Sequence, residues 1–484
     1  TSVGVVPEIA RDWANAGDGS PTFEQDTQFT TLTMNYELDN MTLTSVSGHM
    51  SLDNLIRENI DRTSYGLAFS TPGEDTQSFS QEFRVITDFE GSLNFSAGLF
   101  YEEVERRSFT DSFLFFGGPD PVTGKYHTFE LEHQADSRTY SAFLQLRYEF
   151  TEKLELAAGA RYTDERRTQE SENVFTHTFT APVLALVPAG TTPLNGRFTD
   201  TDISPEVTLS YKPSDSSMVY AAYKTGYKSG GFSSPSLYQI DPSTGAPVTA
   251  EQLSFDPEEA EGFEVGFKGR LLENTLRLEA VAYHYTYDDL QTSVFEPEAF
   301  SFFIKNAASA VVKGVEVSSE WLASNNVTLF TNIAYNRAEF DEFTNGQCYT
   351  GQTDCIDGKN NLSGEPLARA PEWNYNLGFS YDLALGNSHM LIVGGDVKFT
   401  DDYLTQEDQN PFARQEDFTT INANVRLESN DGKYEITLIG RNLANERYIE
   451  LTTSKAFGST TGFGDFTPST IRGREIRIEG TYHF

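Results

Sequence analysis

The chain has 484 residues and carries 35 Lys and Arg against 72 Asp and Glu, a formal net charge of -37. So acidic a chain lacks the basic patches that grip phosphate backbones, which excludes nucleic acid as a partner. It contains no run of about 18 apolar residues, so no membrane-crossing helix is predicted, and its only cysteines are Cys348 and Cys355.

Residues 1–25 are polar, rich in Gly, Asp and Pro, and read as a loop. About 17 strand-like segments follow, judged by alternation of apolar and polar residues. They lie at 28–38, 41–53, 76–89, 92–106, 134–150, 153–166, 200–212, 217–229, 257–272, 275–289, 303–323, 326–341, 368–383, 388–400, 417–429, 433–448 and 470–484. In one of them Leu93, Phe95, Ala97, Leu99 and Tyr101 alternate with Asn94, Ser96, Gly98, Phe100 and Glu102; in another Ile421, Ala423, Val425 and Leu427 alternate with Asn422, Asn424 and Arg426. Period two gives each strand one apolar face and one polar or small face. In a sandwich the apolar face packs on a second sheet; in a membrane barrel it meets lipid while the polar face lines a wet interior.

The connections alternate as well. Tight turns at Asp39-Asn40, Glu90-Gly91, Glu152-Lys153, Asp215-Ser216, Glu273-Asn274, Asn325-Asn326, Gly386-Asn387 and Asp431-Gly432 interleave with long loops at 54–74, 107–133, 167–199, 229–256, 290–302, 342–366, 401–416 and 449–469. A meander with short turns on one rim and long loops on the other is the pattern of a transmembrane antiparallel β-barrel. Tyr36, Phe89, Tyr148, Phe150, Tyr211, Trp321 and Tyr381 sit just before short turns, where an interfacial girdle belongs.

No catalytic constellation is present. The histidines are scattered, none paired at metal-ligand spacing; His127 and His133 are six apart in a loop. The stretch Lys224 to Gly231 lacks the order of a phosphate-binding loop. Neither an enzyme, a cofactor nor a metal is therefore expected. Asp401, Asp402, Glu407 and Asp408 read as a solvated acidic loop in preference to a calcium site. Cys348 and Cys355 suit a local disulfide in an oxidising compartment, with free thiols or a metal pair as alternatives. Aromatics on long loops are candidate ligand contacts: Phe113, Phe115, Phe116, Tyr227, Phe232, Tyr349 and Tyr403. Loop-on-loop packing is the competing explanation. Arg84, Arg147, Arg161, Glu264, Lys268, Glu316 and Arg426 fall on the polar faces and are expected to line the interior, laddered with opposite charges.

Several stretches in order carry a family likeness. They are Ser80-Gln81-Glu82-Phe83-Arg84-Val85, Gly159-Ala160-Arg161-Tyr162-Thr163, Tyr220 through Phe232, Pro257 through Gly266, Asn306-Ala307-Ala308 with Gly314-Val315-Glu316, and Asn442 through Tyr448. Together they resemble the barrel region of TonB-dependent receptors over essentially the whole chain. The resemblance implies an outer-membrane barrel of about 22 strands with a plugged lumen. Residues 1–484 would then be a partial barrel, lacking the plug and about five strands, and the sheet would either gape open between 28–38 and 470–484 or close by an unnatural parallel seam. It implies TonB-dependent uptake of a scarce bulky nutrient, with a ferric siderophore leading and cobalamin or a glycan as alternatives. A passive porin or a soluble β adhesin would be other classes. Implied partners are outer-membrane lipid, TonB through the missing N-terminal region, and the barrel assembly machinery. The final strand, ending in Tyr482 and Phe484, resembles the signal that machinery reads.

Overall fold

A computed structural model describes residues 22–59, 68–114, 118–233, 237–241, 244–296, 301–349, 352–356, 359–454 and 466–483. Among them, seventeen strands join in one sheet. In chain order they are β1 (Thr22–Leu38), β2 (Met41–Asn59), β3 (Ala68–Thr87), β4 (Leu93–Leu114), β5 (Phe129–Thr151), β6 (Leu154–Thr176), β7 (Leu194–Ser214), β8 (Ser217–Lys228) and β9 (Glu258–Leu271). They continue as β10 (Leu276–Glu296), β11 (Ser301–Ser324), β12 (Val327–Glu342), β13 (Trp373–Leu385), β14 (His389–Thr400), β15 (Phe418–Ser429), β16 (Tyr434–Arg441) and β17 (Glu475–Tyr482). Each strand pairs antiparallel with the next, from β1–β2 through β16–β17. Odd-to-even connections are tight turns of two to five residues and even-to-odd connections are longer, except the four residues 297–300 between β10 and β11, where strand takes up most of the loop expected at 290–302; the turns share one rim.

The register carries the apolar face from strand to strand, with irregularities toward the rims, as between Glu130 and Leu131 and between Leu322 and Ser324. Leu99 stands opposite Phe83 on one side and Ala142 on the other. Val207 faces Ala158 and Tyr223, Val265 faces Ala221 and Ala282, Leu377 faces Thr331 and Val397, and Leu438 faces Val425 and Ile478. These rows are the exposed ones: Leu144, Leu146, Val265, Val425 and Ile478 all present their side chains to the surroundings. The girdle aromatics follow, with Tyr36, Tyr148, Phe150, Tyr211, Trp321 and Tyr381 exposed near the turns. Phe89 is half-buried, its ring 6.3 Å from that of Phe95.

On the other face small residues sit under rings. Directly opposite Gly98 is Phe143, opposite Gly266 is Tyr220, and opposite Gly378 is Phe330. A Cβ on Gly378 would lie 2.0 Å from the Phe330 ring. The glycine lets an aromatic lie flat along the wall, covering backbone that would otherwise be bare.

The strands outrun the alternation at the long-loop end. β5 has 23 residues and β6 has 23, whereas crossing a bilayer takes about 9–11. Above the membrane both faces are wet, so Glu102-Glu103-Val104-Glu105-Arg106-Arg107 and Asp164-Glu165-Arg166-Arg167 are strand without any apolar period. Much of the loop expected at 107–133 and 167–199 is therefore strand. The expected strand at 433–448 is corrected in the opposite sense and stops at Arg441. Asn442 and Asn445 take positive φ, 47° and 57°. The Asn442 side chain closes the turn, accepting from the Glu446 amide at 2.9 Å and donating to the Glu446 carbonyl at 2.8 Å.

The clusters of buried apolar residues gather at the long-loop rim, where the strand ends meet the loops. One cluster joins Phe129, Leu131, Leu186, Val187, Leu194, Leu237, Tyr238 and Leu253; a second joins Ala308, Phe340, Phe343 and Leu362. At the sheet's ends, no pairing joins β1 to β17 among the described residues. β1 is exposed along its whole length.

Candidate functional site

The long-loop rim is a packed assembly built on polar staples. Asn173 in β6 donates from Nδ2 to the carbonyls of Val187 and Tyr238, both at 2.8 Å, and so ties the β6–β7 loop to the β8–β9 loop. The Val187 amide reaches the Tyr238 carbonyl and the Ile240 amide reaches the Ala185 carbonyl. Asn306 in β11 accepts from the Asp256 amide at 2.7 Å and donates to the carbonyls of Asp256 and Asp289 at 2.8 Å. Farther round, Thr405 and Thr452 hydroxyls meet at 2.7 Å, and the Phe418 and Tyr448 rings stack 3.7 Å apart. Each loop is thus held by its neighbour.

Asp120 anchors the β4–β5 loop in the same way. Its Oδ1 accepts from the Val122 and Thr123 amides and the Thr123 hydroxyl; its Oδ2 accepts from the Thr178 amide at 2.8 Å and hydroxyl at 2.6 Å. The bonds from Thr178 do most to hold this carboxyl well below the usual carboxylate range, because they favour the charged form.

Of the expected ligand aromatics, Tyr227 and Phe232 come to one place. Tyr227, at the end of β8, is half-buried, and burial together with the negative charge of Glu165, Asp200 and Asp202 pushes its hydroxyl up to about 12. Phe232 packs edge-on against Phe198 of β7 at 6.3 Å. Arg167 neutralises Glu165 at 2.6 Å. The result is an acidic, aromatic-rimmed patch from β6, β7 and β8 at the long-loop end.

The others are dispersed. Phe113 lies between Tyr126 and His127, at 6.5 and 5.6 Å. Phe115, Phe116 and the terminal Phe484 lie outside the described residues. Tyr349 sits half-buried in the hairpin that the Cys348–Cys355 disulfide closes. Tyr403 donates to the Ile449 carbonyl at 2.8 Å, and burial pushes its hydroxyl up to about 12. The acidic loop departs from the solvated reading. Asp402 pairs with Arg414, and Asp408 is buried, its Oδ1 accepting from the Asn410 amide at 3.1 Å and its carboxyl pushed up by burial. Tyr482 pairs with Tyr434 beside the 430–433 turn, on the short-turn rim.

The seven charged residues expected inside all lie on the face opposite the exposed apolar rows. Arg84 pairs with Glu82 at 3.5 Å, and Arg426 bridges Glu428 and Glu435 at 3.5 and 3.8 Å. Glu264 accepts from Lys224 at 2.9 Å and Tyr285 at 2.6 Å. Arg161 stands 5.4 Å over the Phe100 ring and Lys268 6.0 Å from that of Tyr220. Arg147 stands opposite Asn94 and Ala157. Glu316 borders a 340 Å³ recess with Lys268, Glu279, Asn332, Asn376 and Lys398. Such a wall offers charge and amide groups to whatever fills the lumen. The staples Asn173, Asn306 and Asp120 escape a sequence reading, though Asn306 stands in one of the family-like stretches.

Comparison with known proteins agrees with this geometry. The family model described as TonB dependent receptor-like, beta-barrel, matches residues 4–443. The ferric yersiniabactin uptake receptor FyuA from Yersinia pestis superposes with a TM-score of 0.72 at 16% identity, covering 96% of this chain and 62% of that one. The siderophore receptor PiuA from Acinetobacter baumannii gives 0.68 at 17%, covering 95% and 64%. The copper transporter OprC gives 0.66 at 14%, covering 96% and 68%. At these identities the likeness is one of fold, and the chain spans less than two thirds of the length of the first two. Barrels of this family sit in the outer membrane of Gram-negative bacteria, and the family is one of receptors and transporters, not of enzymes. The chain belongs to the TonB-dependent receptor-like β-barrel family.

Proposed function

We propose that the chain forms most of the barrel of an uptake receptor that imports a scarce, bulky nutrient at the expense of energy delivered by TonB. A ferric siderophore is the leading substrate class. The observation that carries this reading is the division of the sheet: an apolar outer face, a charged and amide-rich inner wall, and long loops stapled into one rim. A passive pore needs no such wall of paired charges. Further strands complete the barrel between β1 and β17, and a plug fills the lumen, hydrogen-bonded to Arg84, Arg161, Glu264, Arg426 and their neighbours. The names of FyuA and PiuA support the siderophore class. The Tyr227–Phe232 patch is where this chain contributes to ligand contact, with the plug supplying the rest. The disulfide is kept in the oxidising compartment outside the inner membrane, and the final strand with Tyr482 and Phe484 is read by the barrel assembly machinery. The test is growth of iron-starved cells, stripped of their own receptors and carrying the complete receptor gene, on a panel of ferric catecholates, hydroxamates and citrate. Rescue by one ferric chelate supports the reading. Failure of the whole panel while cobalamin or a glycan is taken up would overturn the siderophore class.

A further inference from the structure

β4 and β5 meet at their long-loop ends with Asp111 directly opposite Glu130. Two carboxylates in direct cross-strand opposition repel, so the pair needs a cation. The chain supplies an imidazole as it returns to β5. His127 Nδ1 stands 2.7 Å from Glu130 Oε1, and its ring is backed by Phe113 at 5.6 Å. One ligand atom from each of Asp111, His127 and Glu130 lies within 4.8 Å of the others, all three residues half-buried. The resident cation is Lys125, whose Nζ lies 2.7 and 3.0 Å from the two Glu130 oxygens and 4.9 Å from the Phe175 ring. Both of its side-chain hydrogen bonds go to Glu130, and the Asp111 carboxylate feels it only through space, together with His127. The histidine spacings in the sequence give no hint of this, because Asp111 lies on β4, across the β4–β5 loop from His127 and Glu130.

We propose that Asp111, His127 and Glu130 bind a divalent first-row transition ion of the zinc class, displacing the Lys125 ammonium. Two carboxylate oxygens and one imidazole nitrogen are a ligand set that such ions take, with water completing the shell. Calcium suits the site poorly, since it seeks six to eight oxygens. Two positive charges balance both carboxylates, where Lys125 balances one. Lys125 is half-exposed on a flexible stem and is free to swing away. The bound ion pins the 118–127 segment to the ends of β4 and β5, outside the membrane and away from the inner wall.

The test is a zinc titration of tag-free, purified whole receptor in detergent, by competition with a chromogenic chelator. One ion per chain is expected. Asp111→Asn and His127→Ala should each weaken binding about tenfold or more. Lys125→Gln should tighten it severalfold, which an ordinary salt-bridge cluster would not do. Heat-modifiable migration on gels checks that each variant is folded. Wild-type protein that binds no more zinc than His127→Ala, or binding that calcium displaces at equal concentration, would overturn the proposal. So would weaker binding in folded Lys125→Gln.

Discussion

A single carboxylate joins two loops that are far apart in sequence. Asp120 takes five hydrogen bonds, two of them from Thr178. Its folded pKa is depressed, so its stabilising effect is present above the unfolded value of about 3.9 and is lost as pH falls through the lower folded value. The β4–β5 loop should therefore stay docked through mild acid and release only in strong acid. Asp120→Ala should speed hydrogen exchange at the Thr123 and Thr178 amides at neutral pH and leave heat-modifiable migration of the barrel unchanged. Unaltered exchange at Thr178 would show that the loops are held by something else. Asp120 is illegible in sequence because its donors lie on both sides of β5 and β6. Cys348 and Cys355 are legible for the opposite reason, being seven residues apart in one loop.

Strands read well where lipid imposes a period and poorly where it does not. The alternation of Leu93 to Glu102 gives the register and the facing directly, because only one side of that stretch meets hydrocarbon. Past Glu102 water bathes both sides and the signal ends, so the upper halves of β4, β5 and β6 are hidden. The expected strand at 433–448 ends early, at Arg441, because Asn442 and Asn445 turn the chain through left-handed conformations. Two substitutions probe the facing. Leu377, exposed on the apolar face of β13, lies several residues above the Tyr381 girdle position. Leu377→Arg should cost about 2–4 kcal/mol in folding into lipid vesicles if it lies at the midplane, while Asn376→Arg beside it should cost little. Equal losses would put the register off by one. On the inner face, Gly378→Ala forces the Phe330 ring off the wall and should cost about 1–3 kcal/mol. Gly91→Ala, where nothing lies within 4 Å, should be neutral.

Among the described residues the sheet has two unpaired edges, β1 and β17, and a stapled rim. With seventeen strands, β1 and β17 run the same way, so they do not close as neighbours in an antiparallel barrel. Each presents a row of backbone groups on its outer edge that is costly in lipid. Residues 22–484 expressed by themselves should fail to give a heat-modifiable band in outer membranes; a stable band with ligand uptake would contradict the partial-barrel reading. Turn and loop rhythm made the meander and its two rims legible. Substrate identity was not, since several of the aromatics singled out are spent on packing outside the Tyr227–Phe232 patch: Phe113 on Tyr126 and His127, Tyr403 on the Ile449 carbonyl. The central claim is energy-coupled import through this barrel, and uptake of a radiolabelled ferric siderophore in paired strains with and without TonB tests it most directly. Cells carrying the complete receptor should accumulate label only when TonB is present, whereas equal uptake in both strains would mark a passive pore.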